Sequence, residues 1–275
     1  AQLIDAARAA LSLSTPKASG LAIAGPVNDG VGAITNGQLR FSEQQLSAQL
    51  GSPVVLVNDF HAQAMALPPL QQVLQLGGRA TASGTRVVLG PGSGLGVGVL
   101  LSDGDRWRVL TSEAGHADLA AGGMLELEVL SLLHQRLDAV CWESVLSGPG
   151  LVNLYNAVCA IWGSEPQALT AEMISERGLD ATDPVCHQTL EMFLGWLGAA
   201  AGNLALTFCA RGGVYIAGGI VPGWGEFVLD SPLRRRFDER AGLAEYVEDI
   251  PLFVITEDNP GLRGARAVLE MHLYG

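Results

Sequence analysis

Several short stretches hold residues that could do chemistry. Asn58-Asp59 closes an apolar run, Pro53-Val-Val-Leu-Val-Asn-Asp59. Ligands of α/β proteins collect where strands end, and a carboxylate there can accept the proton of a substrate hydroxyl. The same aspartate would equally serve as the N-cap of a helix starting near Phe60. Ser112-Glu-Ala-Gly-His-Ala-Asp118 packs a Glu, a His and an Asp into six residues. Glu113 and a neutral His116 suit hydrogen bonding to a polyol, and a plain polar surface loop has the same composition. Read as Glu-x-x-His, the segment lacks the helical setting and second copy of a di-metal centre, so no metal site is expected. Glu143 stands before Ser144-Val-Leu-Ser-Gly-Pro-Gly150, where a carboxylate ordinarily complements a helix dipole. His187 reads as structural or surface.

Two glycine clusters complete the set. Val87-Val-Leu-Gly-Pro-Gly-Ser-Gly-Leu-Gly-Val-Gly-Val-Leu100 has five glycines between Gly90 and Gly98. It has no Gly-Lys-Ser/Thr, so it is not a Walker loop. It matches Gly-x-Gly-x-x-Gly in no register and leads into a strand, so it is not a dinucleotide fingerprint. What remains is a strand–turn–strand loop. Its N–H groups and the Ser93 hydroxyl could face a phosphate, or it is a Gly-rich hairpin with a bulge. Ala217-Gly-Gly-Ile-Val-Pro222 ends a strand in two glycines, which admit a flat ring close to the backbone or simply turn the chain.

The elements that must position these residues follow from periodicity. Residues 2–13 read as an amphipathic helix and 20–27 as a buried strand. Residues 28–38 are polar. A helix is expected over 42–50, with Ser42 as N-cap and Gln45 three residues on. Residues 53–59 form a β-branched strand, and 60–67 a helix stopped by Pro68-Pro69. Strands at 86–89, 97–101 and 107–110 form an antiparallel meander, the last two joined by an Asp103-Gly104-Asp105 turn. Helices are expected over 122–140, 143–147 and 150–161, and a long apolar one through 195–206. A strand near 213–217, a strand at 251–256 and a closing helix after Asn259-Pro260-Gly261 complete the pattern.

There is an internal echo. Leu21-Ala-Ile-Ala-Gly-Pro-Val27 resembles Val214-Tyr-Ile-Ala-Gly-Gly-Ile220, and Pro53 to Asp59 resembles Pro251-Leu-Phe-Val-Ile-Thr-Glu-Asp258. Each pair falls in the same order, as duplicated α/β domains would. The second copy is preceded by the glycine-bearing meander; the first is preceded only by a helix.

The 275 residues suit two domains, with 48% hydrophobic and 16% charged residues, enough for a core and unlike a disordered chain. A net charge of -12 argues against nucleic acid or an anionic membrane surface as partner. It does not exclude a nucleotide, because backbone N–H groups can hold phosphates. Four cysteines without CxxC spacing read as reduced thiols of a cytoplasmic protein. Neither a signal peptide nor a membrane span is expected.

Taken together, the segments resemble the bacterial ATP-dependent glucokinase family, within the hexokinase–actin–Hsp70 superfold. The matching segments are IAGPV (23–27), TNGQLRFS (35–42), VNDF (57–60), GPGSGLGVGVL (90–100), SEAGHADLA (112–120), ESVLSGPGLVNLY (143–155), GNLAL (202–206), GGVYIAGGIVP (212–222) and DNPGLRGA (258–265). The zinc-binding CxCGxxGC signature of the related ROK sugar kinases is absent. The resemblance implies two RNase H-like, actin-like ATPase domains: a smaller one of residues 1–68 plus 257–275, and a larger one of 69–256. It implies that glucose is phosphorylated to glucose 6-phosphate by in-line transfer, at the head of glycolysis. Asp59 would be the general base. Asn58, Asp59, Glu113, His116 and Glu143 would bind the sugar, with Asn36 nearby. Gly92, Ser93, Gly94 and Gly96 would face the phosphates of ATP, with Gly218 and Gly219 beside the adenosine and Mg2+ bridging the β- and γ-phosphates.

The family begins with a strand–turn–strand carrying Asp-x-Gly-Gly-Thr, and this sequence starts at the helix that should follow it. The first domain is therefore expected to be incomplete, and this chain alone to have little kinase activity. The alternatives are a kinase for another hexose or amino sugar, and a non-catalytic sugar-binding relative. The oligomeric state stays open, a homodimer being one possibility.

Overall fold

The computed structural model describes residues 16–34, 39–81, 83–104 and 106–274. The helix expected over 2–13 and the candidate Asn36 lie outside the described residues. The chain divides into two compact units. One holds Ala1–Gln71, Val109–Thr111 and Glu257–Gly275; the other holds Gln72–Arg108 and Ser112–Thr256.

In the first unit, β1 (Ser19–Ile23) is followed by three short strands, β2 (Val27–Asn28), β3 (Val31–Ala33) and β4 (Arg40–Ser42). Then come α1 (Glu43–Leu50), β5 (Val54–Asn58) and α2 (Asp59–Ala66). β1 and β5 pair in parallel from Ser19–Val54 to Ile23–Asn58. The side chains of β5 alternate between two faces, as a strand of period two requires. Val54 and Leu56 pack with Leu46 and Leu50 of α1, while Val55 and Val57 pack with Ala62 of α2 and Ala265. Ser42 caps α1 by accepting from the Gln45 N–H at 3.5 Å, as the sequence indicates. The closing helix, Pro260–Tyr274, crosses α2 at Gly264, where a Cβ would run into the carbonyl oxygen of Ala62. The stretch 28–38, read as merely polar, is in its described part a hairpin. Asp29 and Gly30 take φ of 49° and 70°, which a two-residue connection between β2 and β3 needs.

The second unit is built on a sheet of β6 (Val73–Gln75), β7 (Arg86–Pro91), β8 (Leu95–Asp103), β9 (Arg106–Ser112, of which Val109–Thr111 are grouped with the first unit), β10 (Gly213–Ile216) and β11 (Leu252–Ile255). They lie in the order β6-β11-β10-β7-β8-β9. β7, β10 and β11 run parallel, and β8 and β6 are antiparallel to their neighbours. Its helices are α3 (Met124–His134), α4 (Gly148–Trp162), α5 (Ala171–Leu179), α6 (Pro184–Thr207), α7 (Leu233–Asp238) and α8 (Ala244–Glu248). α6 is apolar nearly all round, which marks a helix buried within a layer. Asp183 caps it and Pro184 starts it, so it begins eleven residues before the apolar stretch first read as helix.

Two other boundaries differ from the periodic pattern. The helix expected over 122–140 ends at His134, because Val140 and Cys141 are drawn into backbone pairing with Asp118 and Leu119. Residues 143–147 are not α-helical: only Trp142–Ser144 form a 3-10 turn, and α4 begins at Gly148. Among the described residues, no helix is long and apolar enough to cross a membrane.

Candidate active site

The glycine-rich hairpin is tight. β7 and β8 stay paired down to Pro91–Leu95, leaving Gly92-Ser93-Gly94 as the turn. The Gly92 N–H donates to the Gly94 carbonyl at 2.8 Å. The N–H of Gly148, the first residue of α4, donates to the Gly92 carbonyl at 2.8 Å, so the turn is tied to a helix N-terminus. Gly218 lies against the entry to the turn: its φ is +87°, and a Cβ would run into the Pro91 carbonyl. At Gly219 a Cβ would meet nothing.

Glu143 is not the helix-dipole residue that its sequence context indicates. Its Oε2 accepts from the N–H of Leu95 at 2.8 Å. The start of α4 is satisfied instead by Ser147, whose hydroxyl accepts from the Gly150 N–H and donates to the Glu143 carbonyl, both at 2.9 Å. Leu95 also meets the 112–118 segment, since Gly115 packs so closely on the Leu95 carbonyl that no Cβ would fit. Ala114–His116 form a 3-10 turn clamped to the next segment by Trp142 N–H to Ala117 O at 2.9 Å and Leu119 N–H to Val140 O at 3.2 Å. Glu113 and His116 are exposed on this turn.

The His116 Nδ1 lies 3.9 Å from the Sγ of Cys141. That contact is the main reason the imidazole titrates above its ordinary range; burial opposes it, and Glu143 and Glu113 add to it. Burial pushes the Cys141 thiol up, but hydrogen bonds from Ser144 and His116 outweigh it and hold the thiol below its ordinary value. A histidine whose pKa rises on folding stabilises the fold fully below its unfolded value, and that contribution is lost as pH rises through the folded value. Cys141→Ala removes the largest cause, so the His116 titration followed by NMR is expected to move down; an unmoved midpoint would show that the thiol does not hold the ring.

Beside the glycine turn lies a cavity of about 810 Å3, within this unit. Gly92, Ser93, Gly148 and Pro149 line it toward the turn, while Gly219, Ile220, Gly223 and Trp224 form another wall. The remaining wall is α5 and its cap, including Thr170, Glu172 and Glu176. No local sequence pattern marks α5 as a wall of this cavity. The helix itself is signalled by its Thr170 cap, which accepts from the Met173 N–H at 3.3 Å. Nor does a local pattern connect Cys141 to His116, 25 residues away. His187 bonds the Gly178 carbonyl at 3.1 Å and meets Phe227 edge-on, a structural role.

In the first unit, the cap of α2 is Asn58, not Asp59. The Asn58 Oδ1 accepts from the N–H groups of Phe60 and His61 at 2.9 and 3.1 Å, and its Nδ2 donates to the Gly25 carbonyl and to Asp59 Oδ1. Asp59 is the first helical residue, half-buried, with its carboxylate oriented by Asn58 and by the Phe60 N–H at 3.1 Å. Among the described residues, no group of three or more His, Cys, Asp or Glu is placed to hold a metal ion.

The α/β units and the mixed sheet with its glycine turn define a protein of the actin-like ATPase fold. The sequence model of the glucokinase family matches residues 1–272. A glucokinase of Aromatoleum aromaticum is 42% identical over 100% of this chain and 86% of its own length. Among solved structures, a glucokinase from an Antarctic psychrotroph superposes with a TM-score of 0.87 at 34% identity, covering 98% of this chain and 85% of its own. A ROK family glucokinase from Streptomyces griseus, in complex with glucose and AMPPNP, shares the fold at 24% identity and a TM-score of 0.69, over 98% and 86% of the two chains. The chain belongs to the glucokinase family, enzymes that phosphorylate a sugar.

Proposed function

We propose that this enzyme transfers the γ-phosphoryl group of ATP to the 6-hydroxyl of glucose in the cytoplasm, with Asp59 as the general base. The observation that carries the reading is the Gly92-Ser93-Gly94 turn opening onto a cavity large enough for a nucleoside, with the N-terminus of α4 beside it. The backbone N–H groups of a tight turn and the positive end of the α4 dipole favour phosphate without basic side chains. In this reading the triphosphate lies along the turn, and the adenosine lies between Gly218-Gly219 and α5. Mg2+ would enter with the nucleotide and would supply neutralisation of the charge on the transferring phosphates. The AMPPNP and glucose of the Streptomyces griseus relative support this choice of donor and acceptor.

Glu113, His116 and Glu143, with Asn58 and Asn36, bind the sugar hydroxyls. Asp59 accepts the proton of the attacking hydroxyl as the phosphoryl group moves in line, a late and modest demand in a loose transition state. Carboxylates and an imidazole on a neutral sugar discriminate sharply, because a wrong epimer leaves a polar group that the bound sugar shuts off from water without a partner. The test is a coupled ADP-release assay on the full gene product with ATP and a panel of sugars. Glucose is expected to exceed mannose, galactose and glucosamine in kcat/KM by roughly a hundredfold or more. Preference for another sugar, or turnover with polyphosphate but not ATP, would overturn the reading.

A further inference from the structure

Within the second unit, one backbone residue, Leu95, meets both the sugar-assigned Glu143 and the turn assigned to phosphate. Its N–H donates to the Glu143 carboxylate at 2.8 Å. Its carbonyl is covered by Gly115, between Glu113 and His116. The preceding residue, Gly94, belongs to the phosphate turn, and a Cβ there would lie 2.6 Å from the Glu143 Oε2. By contrast, a Cβ on Gly92 in the same turn would meet nothing within 4 Å. Neither glycine has a positive φ, so alanine fits the backbone at both.

We infer that Gly94 and the Leu95 N–H are positioning groups for the sugar-binding carboxylate of Glu143, so that the phosphate turn also sets glucose affinity. This rests on the reading of Glu143 as a sugar ligand. Two constraints hold the carboxylate: a charge-assisted hydrogen bond from the backbone on one side, and a gap that only glycine leaves on the other. A methyl group at Gly94 closes that gap and pushes Glu143 off the geometry that fits the sugar. The turn thus does more than cradle phosphate. Any displacement of it on nucleotide binding moves the N–H to which Glu143 is anchored.

The experiment measures glucose affinity by calorimetry on the full gene product with no nucleotide present. Gly94→Ala is expected to weaken glucose binding roughly tenfold or more, the loss of a hydrogen bond to a charged group. Gly92→Ala is expected to leave it within about twofold, well under a single lost hydrogen bond. Glu143→Gln is the control for the underlying reading. If glucose affinity ignores Glu143→Gln, the carboxylate is not a sugar ligand and the inference falls with that reading. If Glu143→Gln weakens binding and Gly94→Ala does not, or if Gly92→Ala weakens it equally, the coupling alone is overturned. Should Gly94→Ala fail to fold, amide exchange at Leu95 decides. Exchange is expected to quicken at least about tenfold in Glu143→Gln, whose neutral acceptor holds the N–H less firmly. Unchanged exchange would overturn the inference.

Discussion

Asp59→Asn is expected to lower kcat about a thousandfold, within the range ascribed to a positioned general base, while glucose affinity stays within about tenfold, roughly one hydrogen bond's worth. The substitution is close to isosteric. The Asp59 Oδ1 accepts from Asn58 Nδ2 at 3.0 Å and from the Phe60 N–H at 3.1 Å, and an amide oxygen can keep both. What disappears is the negative charge and the ability to take up a proton. The competing reading of Asp59 as a helix cap makes a different forecast, because a cap is a matter of stability and not of rate. The structure gives capping to Asn58, which holds the N–H groups of both Phe60 and His61. Removing the charge at the first helical position should therefore cost only about 0.3–1 kcal/mol of stability through the helix dipole. Steady-state kinetics beside a urea melt separate the two. A kcat within a few-fold of the parent enzyme would end the general-base assignment.

Gly264→Ala should destabilise the first unit by about 3 kcal/mol, the upper end of ordinary overpacking. Helix propensity alone points the other way, since alanine in a helix interior is favoured over glycine by about 1 kcal/mol. The steric term must overcome that gain. The obstacle is the Ala62 carbonyl, a backbone group that no rotamer change can move aside. The closing helix and α2 must separate for the methyl to fit, and Val55, Val57, Ala62 and Ala265 then lose their packing. Because α2 carries Asp59 at its first turn, activity should fall together with stability. Gly261→Ala is the contrast: its Cβ would approach only the flexible Gln63 side chain, at 3.4 Å. It should change stability by less than about 1 kcal/mol, the scale of helix propensity. A Gly264→Ala protein as stable as its parent in urea would show that the two helices do not cross so closely.

Much of the architecture is legible in local pattern. The run Val54-Val-Leu-Val57 alternates between two packed faces, and the strand assignment there needs nothing beyond its β-branched composition. The echo between halves has a physical counterpart. β1 pairs in parallel with β5, and β10 pairs in parallel with β11, so the two echoing segments of each half are neighbouring strands. Where local pattern misled, a distant partner intervened. Residues 135–140 have helical composition, yet pairing of Asp118 and Leu119 with Cys141 and Val140 draws them out of the helix. Residues 143–147 look like a helix start, but Ser147 caps the helix later.

The sequence by itself determined the family and the strands at the centre of each half, β1 and β5 in the first and β7, β10 and β11 in the second. Those properties are written in short stretches, in periodicity, glycine turns and adjacent side chains. Only the tertiary structure decided which partner each group meets. It made Asn58 the cap and left Asp59 as a held carboxylate, a choice between neighbours that composition cannot make. It brought the Glu143 carboxylate to the Leu95 N–H across 48 residues of chain, and His116 to Cys141 across 25. Hydrophobic periodicity reports which face of a segment is buried. It carries no record of which distant backbone group that face will meet, and at this site those meetings set the geometry.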